Sequence, residues 1–257
     1  MKRITVVGLC LVVALAMAAF TATGAWALPP PEFSACVRVA KHTGEYADKY
    51  CQSKVAENKG RYSLSAPSGA TFSGKSSGST AWHVPHVPSH AGFEITCGRG
   101  RASGHLGQTS PFDTVYDVQL KFNGCETPHG LPCNSLLTEN EGEILTMELM
   151  GKLGIISGEQ VGISLTPQNG SVFAEFTCGV LAGRPFRIEG AAIGKLTPLG
   201  GKYMAEEFAV TEAGEQADTS FEAGPTEMLT ATIDGEGPYS VGLLDRLQMK
   251  SKLVLKP

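Results

Sequence analysis

The chain has 257 residues, 42% of them hydrophobic, 18% charged and 7% aromatic, enough to bury a core and too ordinary for a disordered or collagen-like protein. Its 31 Gly and 15 Pro make 46 of 257 residues, about 18%, a turn-rich composition that weighs against a helix bundle. The formal net charge of -4 and the absence of a basic run of five to eight residues speak against nucleic acid or an anionic lipid surface as partner.

Lys2 and Arg3 precede an apolar stretch from Ile4 to Phe20, and Ala25-Trp26-Ala27 supplies the small-x-small pattern of a signal peptidase site. Residues 1–27 are therefore expected to be a signal peptide cut after Ala27, giving an exported protein of the cell envelope or extracellular space with no membrane span left after cleavage. Cleavage removes two positive charges and Cys10, leaving 19 Lys and Arg against 25 Asp and Glu, a net of -6. Six cysteines remain: Cys36, Cys51, Cys97, Cys125, Cys133 and Cys178. An even count in an exported chain reads as three disulfides, with about 15 connectivities open.

Residues 28–60 begin with the stiff Leu28-Pro29-Pro30-Pro31 leader and read as an N-terminal cap tied by Cys36 and Cys51. Residues 61–257 read as one β-rich domain, because from Tyr62 onward the hydrophobic period is two and Gly or Pro punctuates every eight to twelve residues or so. Tyr116, Val118, Leu120 and Phe122 share one face of a strand. Leu145, Met147 and Leu149 mark another. Val161 to Thr166, the turn Pro167-Gln168-Asn169-Gly170 and Val172 to Cys178 read as a hairpin. The last strand sets Met249, Leu253 and Leu255 against Lys250, Lys252 and Lys256, a pattern that suits an edge. The expected fold is all-β: an antiparallel β-sandwich or irregular β-barrel.

A weak internal repeat relates Phe93-Glu94-Ile95-Thr96-Cys97 to Ala174-Glu175-Phe176-Thr177-Cys178, each followed by a glycine turn and a strand. It suggests two related halves, 61–170 and 171–257. On that reading Cys36 pairs with Cys51, Cys125 pairs with Cys133 across a Pro- and Gly-rich excursion, and Cys97 joins Cys178 to staple the halves.

The succession Cys36-Val37-Arg38-Val39, Gly44-Glu45-Tyr46-Ala47-Asp48, Cys51, Gly60-Arg61-Tyr62, Phe122-Asn123-Gly124-Cys125, Cys133-Asn134-Ser135, Gly142 to Thr146, Leu149 to Gly154 and Phe176-Thr177-Cys178 resembles a group of uncharacterised secreted, glycine-rich β proteins from high-GC Gram-positive bacteria. The resemblance covers most of the chain after the signal. It implies export and a β-rich body, and it carries no assigned activity.

Several short motifs invite chemistry. Gly69 to Ser76 matches G-x-x-x-x-G-K-[ST], but a phosphate loop needs a helix after it, and Ser77-Gly78-Ser79-Thr80 does not start one. Gly74-Lys75-Ser76-Ser77-Gly78 matches the G-x-S-x-G elbow of serine hydrolases, yet that elbow needs a helix after it and the order Ser, acid, His needs a late histidine, whereas the last one is His129. A flexible Ser/Gly loop is the simpler expectation there. His83, His86 and His90 lie close together in a proline-stiffened stretch, where His83 and His86 would share a face of a polyproline II helix and could meet one zinc or copper ion. Asp113 with Asp117 and Glu206 with Glu207 are paired carboxylates, and solvated strand faces explain both pairs. No catalytic residue and no cofactor are assigned. The expected function is a non-catalytic structural or interaction protein with an unknown envelope or extracellular ligand. The alternatives are a secreted serine hydrolase using Ser76 with His83, His105 or His129, and a carrier with a small apolar ligand in a barrel lumen.

Overall fold

The computed structural model describes residues 30–56, 59–85, 87, 92–156, 160–179, 185–199, 203–250 and 253–256. Within them the chain is all-β. The proposed signal peptide lies outside the described residues. Among those described, no helix is long and apolar enough to cross a membrane.

The strands in chain order are β1 (Glu32–Arg38), β2 (Tyr62–Ser65), β3 (Thr71–Ser76), β4 (Thr80–Val84), β5 (Phe93–Leu106), β6 (Thr114–Glu126), β7 (Cys133–Ser135), β8 (Glu143–Leu145), β9 (Leu149–Ile156), β10 (Gln160–Pro167), β11 (Val172–Cys178), β12 (Pro185–Gly190), β13 (Ala192–Leu199), β14 (Tyr203–Phe208), β15 (Leu229–Ile233), β16 (Glu236–Lys250) and β17 (Leu253–Lys256). Every pairing between them is antiparallel. Strands β5, β6 and β16 have 14, 13 and 15 residues, longer than the usual span of roughly 3 to 10. Their length lets each serve two rings of strands.

In the first ring the order is β14-β13-β10-β9-β6-β5-β3-β16, and the register Tyr203↔Lys250 through Phe208↔Asp245 closes β16 back onto β14. An eight-stranded ring leaves an interior about wide enough for side chains to fill. Here the filling is aliphatic, with Val115, Val118, Leu149, Ile163, Leu165 and Leu196 buried. The second ring runs from the first part of β16 through β15, β12, β11 and β7. It returns through the single bridge Glu126↔Pro132 to β6, then β5 and β4, and back to β16. Its interior is aromatic: Trp82 lies edge-on to Phe122 at 5.4 Å and to Phe173 at 6.3 Å, while Phe176 stacks on Phe186 at 5.2 Å. Each ring takes strands from both sides of residue 170.

A separate three-stranded sheet, β17-β1-β2, covers the end of the first ring, where Phe33 donates its N–H to the carbonyl of Phe112 at 2.9 Å. The single last strand expected from Met249 to Lys256 is split: Met249 and Lys250 end β16, paired on both sides by β14 and β3, and only β17 lies at the edge of its sheet. The disulfide Cys36–Cys51 ties β1 to the following loop, as expected for the cap.

Four further sequence expectations need correction. The other disulfides are Cys97–Cys125 and Cys133–Cys178, in place of Cys97–Cys178 and Cys125–Cys133. The reason is register: Cys97 sits directly opposite Cys125 on β5 and β6, and Cys178 directly opposite Cys133 on β11 and β7, so each thiol finds its partner on the neighbouring strand. Both bridges belong to the second ring, and no staple joins repeat-related positions. Strands β10 and β11 do not form a hairpin. Instead β10 pairs with β9 and β13, and β11 pairs with β7 and β12, so Pro167 to Gly170 carries the chain from one ring to the other. The strand expected through Met147 is broken between β8 and β9, because the Met147 N–H turns to the carbonyl of Phe173 at 2.8 Å. Finally, Thr71 to Ser76 is a strand and not a loop.

Strand β6 departs from strict alternation in an informative way. Its register shifts between Val115 and Val118, and Asp117 takes a positive φ of 49°. The irregularity lets Val115 face inward together with Val118, Leu120 and Phe122, while Tyr116 stays half-buried.

Candidate functional site

Where the two rings meet, a group of polar side chains points into the core. Strand β16 alternates Val241, Leu243, Asp245, Leu247 and Met249 on its inward face, so Asp245 is carried inside by the same period that buries its neighbours. Strand β14 does the same for Glu206 between Met204 and Phe208. Because Glu206 is opposite Leu247 and Phe208 opposite Asp245, the two carboxyls are diagonal neighbours on one face. Asp245 and Glu206 are 2% and 3% exposed.

Strands β3 and β4 lie end to end between β5 and β16, and their junction brings two hydroxyls to this face. Thr80 donates to Asp245 Oδ1 at 3.0 Å, and the hydroxyls of Ser76 and Thr80 lie 3.3 Å apart. Ser76 also bonds the Asp245 carboxylate through its side chain. Gly100 on β5 makes the space for this cluster. A Cβ there would run into the Ser76 hydroxyl and come within 2.9 Å of Asp245 Oδ2. Asp245 Oδ2, Glu206 Oε1 and Trp82 Nε1 are buried with no hydrogen-bond partner.

Burial dominates the electrostatics. It pushes the Glu206 carboxyl up to about 8, with the negative charge of Asp245 adding to the effect. Burial also raises Asp245, against the hydrogen bonds from Ser76, Thr80 and the Arg246 backbone that favour its charged form. No cationic side chain among the described residues contacts either carboxyl. The pair therefore keeps a proton near neutral pH.

Glu206 also lines a cavity at the capped end of the first ring, together with Val118, Ile163, Leu165, Leu196, Met204 and Met249, and with Phe33 and Leu253 of the covering sheet. Its volume is about 20 Å³ for the centre of a water molecule, room for one or two waters. The lumen is filled rather than open.

The solvated strand face expected for Glu206 and Glu207 does not hold for Glu206, which is buried, while Glu207 is half-buried. Asp113 lies just before β6 and accepts a hydrogen bond from the Thr114 hydroxyl at 2.9 Å, whereas Asp117 sits 3.4 Å from His105 Nδ1 on the surface. The structure brings Ser76 to Thr80 and Asp245. It places His83 on β4, half-buried with Nε2 unpartnered, His105 beside Asp117 and Tyr116, and His129 in an exposed turn. His86 and His90 lie outside the described residues, so of the three metal candidates only His83 is placed. Among the described residues no group of three or more His, Cys, Asp or Glu side chains comes together as a metal site. The Gly69–Ser76 and Gly74–Gly78 motifs run along β3 and the short link into β4, which continues along the same two neighbours, where a phosphate loop or a nucleophile elbow needs a helix.

A second carboxylate behaves oppositely. Glu143 is buried at the start of β8, and burial opposes its ionisation, yet Lys121, Thr138, Asn140 and Asn123 bond to it and hold its pKa down to about 2. It is a structural anion that ties β8 to β6.

Comparisons of the chain with protein-family models, with curated proteins and with solved structures found no match.

Proposed function

We propose that this is an exported, non-catalytic structural or interaction protein of the cell envelope or extracellular space, which binds its partner through loops and strand edges. The observation that carries the proposal is the placement of the hydroxyl and carboxyl cluster. Ser76, the one serine with a nucleophile motif, turns inward to Thr80 and to an Asp that is itself buried, and a hydrolase would need it beside a base and open to substrate. Three disulfides suit an oxidising compartment and support export. The resemblance to secreted glycine-rich β proteins points the same way. On the surface, Leu136 and Leu137 after β7 are 62% and 50% exposed and offer apolar contact outside the core.

Two measurements test the reading. Cross-linking on intact producing cells, followed by fractionation, is expected to recover the protein outside the cytoplasm and joined to an envelope or extracellular component. A purely cytoplasmic protein would overturn it. A fluorophosphonate probe is expected to leave Ser76 unlabelled, and labelling that Ser76→Ala abolishes would replace this reading with the hydrolase.

A further inference from the structure

The first ring ends in a small apolar chamber with one acid in its wall and a removable roof. Glu206 Oε1 is buried, unpartnered and part of the chamber lining. Behind it stands a second carboxyl, Asp245, and no cation on the described residues answers either. The remaining wall is apolar, made of aliphatic side chains, the Phe72 ring and two thioethers, and the free space fits one or two water-sized groups. The roof consists of Phe33 on β1 and Leu253 on β17, and β17 is a four-residue strand at the edge of its sheet, beside β1. Met204 and Met249, directly opposite each other at the rim, are the flexible side chains best able to yield space.

We propose that this chamber binds a short primary alkylamine, whose ammonium group sits on Glu206 and whose carbon chain lies among the chamber's apolar side chains. Charge decides the ligand class. Two adjacent carboxyls without a counter-cation relieve their repulsion by holding a proton or by accepting a positive group, and an apolar wall selects a positive group with a hydrocarbon body over a hydrated inorganic ion. A carboxylic acid would add a third acid to the pair, and an alcohol would bring no charge. The free space takes the ammonium group and about one carbon, so a longer body such as ethyl needs the roof or the two Met side chains to yield. A ligand of about three heavy atoms binds at best in the millimolar range. The inference stands apart from the surface-binding function, since the chamber lies inside the ring and neither result depends on the other.

The ammonium group competes with the proton on Glu206, whose pKa is raised to about 8 by burial and by Asp245. Around it Ser76 and Thr80 contribute only hydroxyls, and the chamber side chains from β3, β6, β10 and β13 carry no charge. Binding should therefore strengthen as pH rises from 6 to 8.5, a range in which an alkylamine stays charged.

The test uses the purified protein with 50 mM ethylamine hydrochloride, against 50 mM sodium chloride, potassium chloride, ethanol and sodium propionate. Ethylamine is expected to raise Tm by about 3 °C or more at pH 8 and by less at pH 6, with none of the controls doing so. Glu206→Gln should lose the rise. In protein carrying 13C-methyl methionine, ethylamine should shift the Met204 and Met249 resonances, a readout that does not require the variant to fold. An equal rise with sodium, potassium or ethanol, no rise with ethylamine, unmoved Met204 and Met249 resonances, or a rise that survives in a folded Glu206→Gln protein would each overturn the proposal.

Discussion

Replacing Glu206 with Gln should abolish most of the alkaline loss of stability that the structure builds into this protein. The folded carboxyl titrates at about 8 and its unfolded counterpart near 4.5, so the folded state holds a proton that the unfolded state has released across the interval between them. An acid raised in this way costs nothing below the unfolded pKa. Its penalty grows as pH climbs through the window and levels off above the folded pKa. Linkage puts the loss between pH 5 and pH 8 at about 3.5 kcal/mol. For a chain of this size that corresponds to a fall in Tm of about 7 to 14 °C. Asp245, also raised by burial, acts in the same direction. Gln keeps the shape and cannot ionise, so the variant's Tm should fall much less over this range, with only the Asp245 contribution left, even if its absolute value drops because a buried amide lacks partners. The assay is calorimetry or circular dichroism at half-unit pH steps with the disulfides intact. A wild-type Tm that is flat or rises from pH 5 to pH 8, or an equal slope in Glu206→Gln, would refute the buried-acid argument.

Other consequences can be checked with the same material. Glu143 behaves with the opposite sign: its pKa is held near 2, so its contribution is complete above pH 4.5 and lost as pH falls toward 2, and Lys121→Met should move acid unfolding to higher pH. Together the two acids place the stability maximum near pH 4.5 to 5, which the wild-type pH series will show or deny. Non-reducing peptide mapping should find Cys97 with Cys125 and Cys133 with Cys178. Chain entropy ranks their loss at about 3.6 and 4.0 kcal/mol against about 3.0 for Cys36–Cys51, so the Cys133→Ser, Cys178→Ser double variant should melt lowest in denaturant titrations of the three double variants. Gly100→Val should drive a side chain into Ser76 and Asp245 and cost about 3 kcal/mol or more, whereas Gly78→Ala, in open space on the β3–β4 turn, should change stability by less than about 1 kcal/mol.

The strands were legible because their faces differ. Val118, Leu120 and Phe122 alternate with polar residues, and a period of two needs no tertiary knowledge to be recognised. Which strand lies beside which is another matter. Pro167 to Gly170 has the composition of a hairpin turn, but turn chemistry specifies a local reversal and not the partner that backbone hydrogen bonds will choose. Strand β10 is claimed by β9 and β13, and nothing in its eight residues says so. The same gap separates cysteine spacing from the disulfides: equivalence within a repeat does not imply proximity, and cysteine pairing follows strand register, a property that exists only once the rings have closed.

The buried acids teach a sharper lesson, because their signal was present in the sequence. Met204, Glu206 and Phe208 share parity on one strand, and Leu243, Asp245, Leu247 and Met249 share it on another, so an acid occupies a position that its neighbours mark as inward. Treating Glu206 and Glu207 as a pair of adjacent charges hid that asymmetry. Parity alone still could not show that the two acids meet, since their strands lie about 40 residues apart in the chain and become neighbours only through ring closure between β14 and β16. That closure turns two isolated exceptions to an apolar pattern into one charged pair. A barrel that gained only stability from its core would fill both positions with Leu or Val, because breaking or burying charge without a counter-ion costs several kcal/mol. Keeping two acids there, next to the chamber at the capped end of the first ring, is a cost that the packing does not require, and it makes Glu206 the first residue to replace when asking what this protein holds.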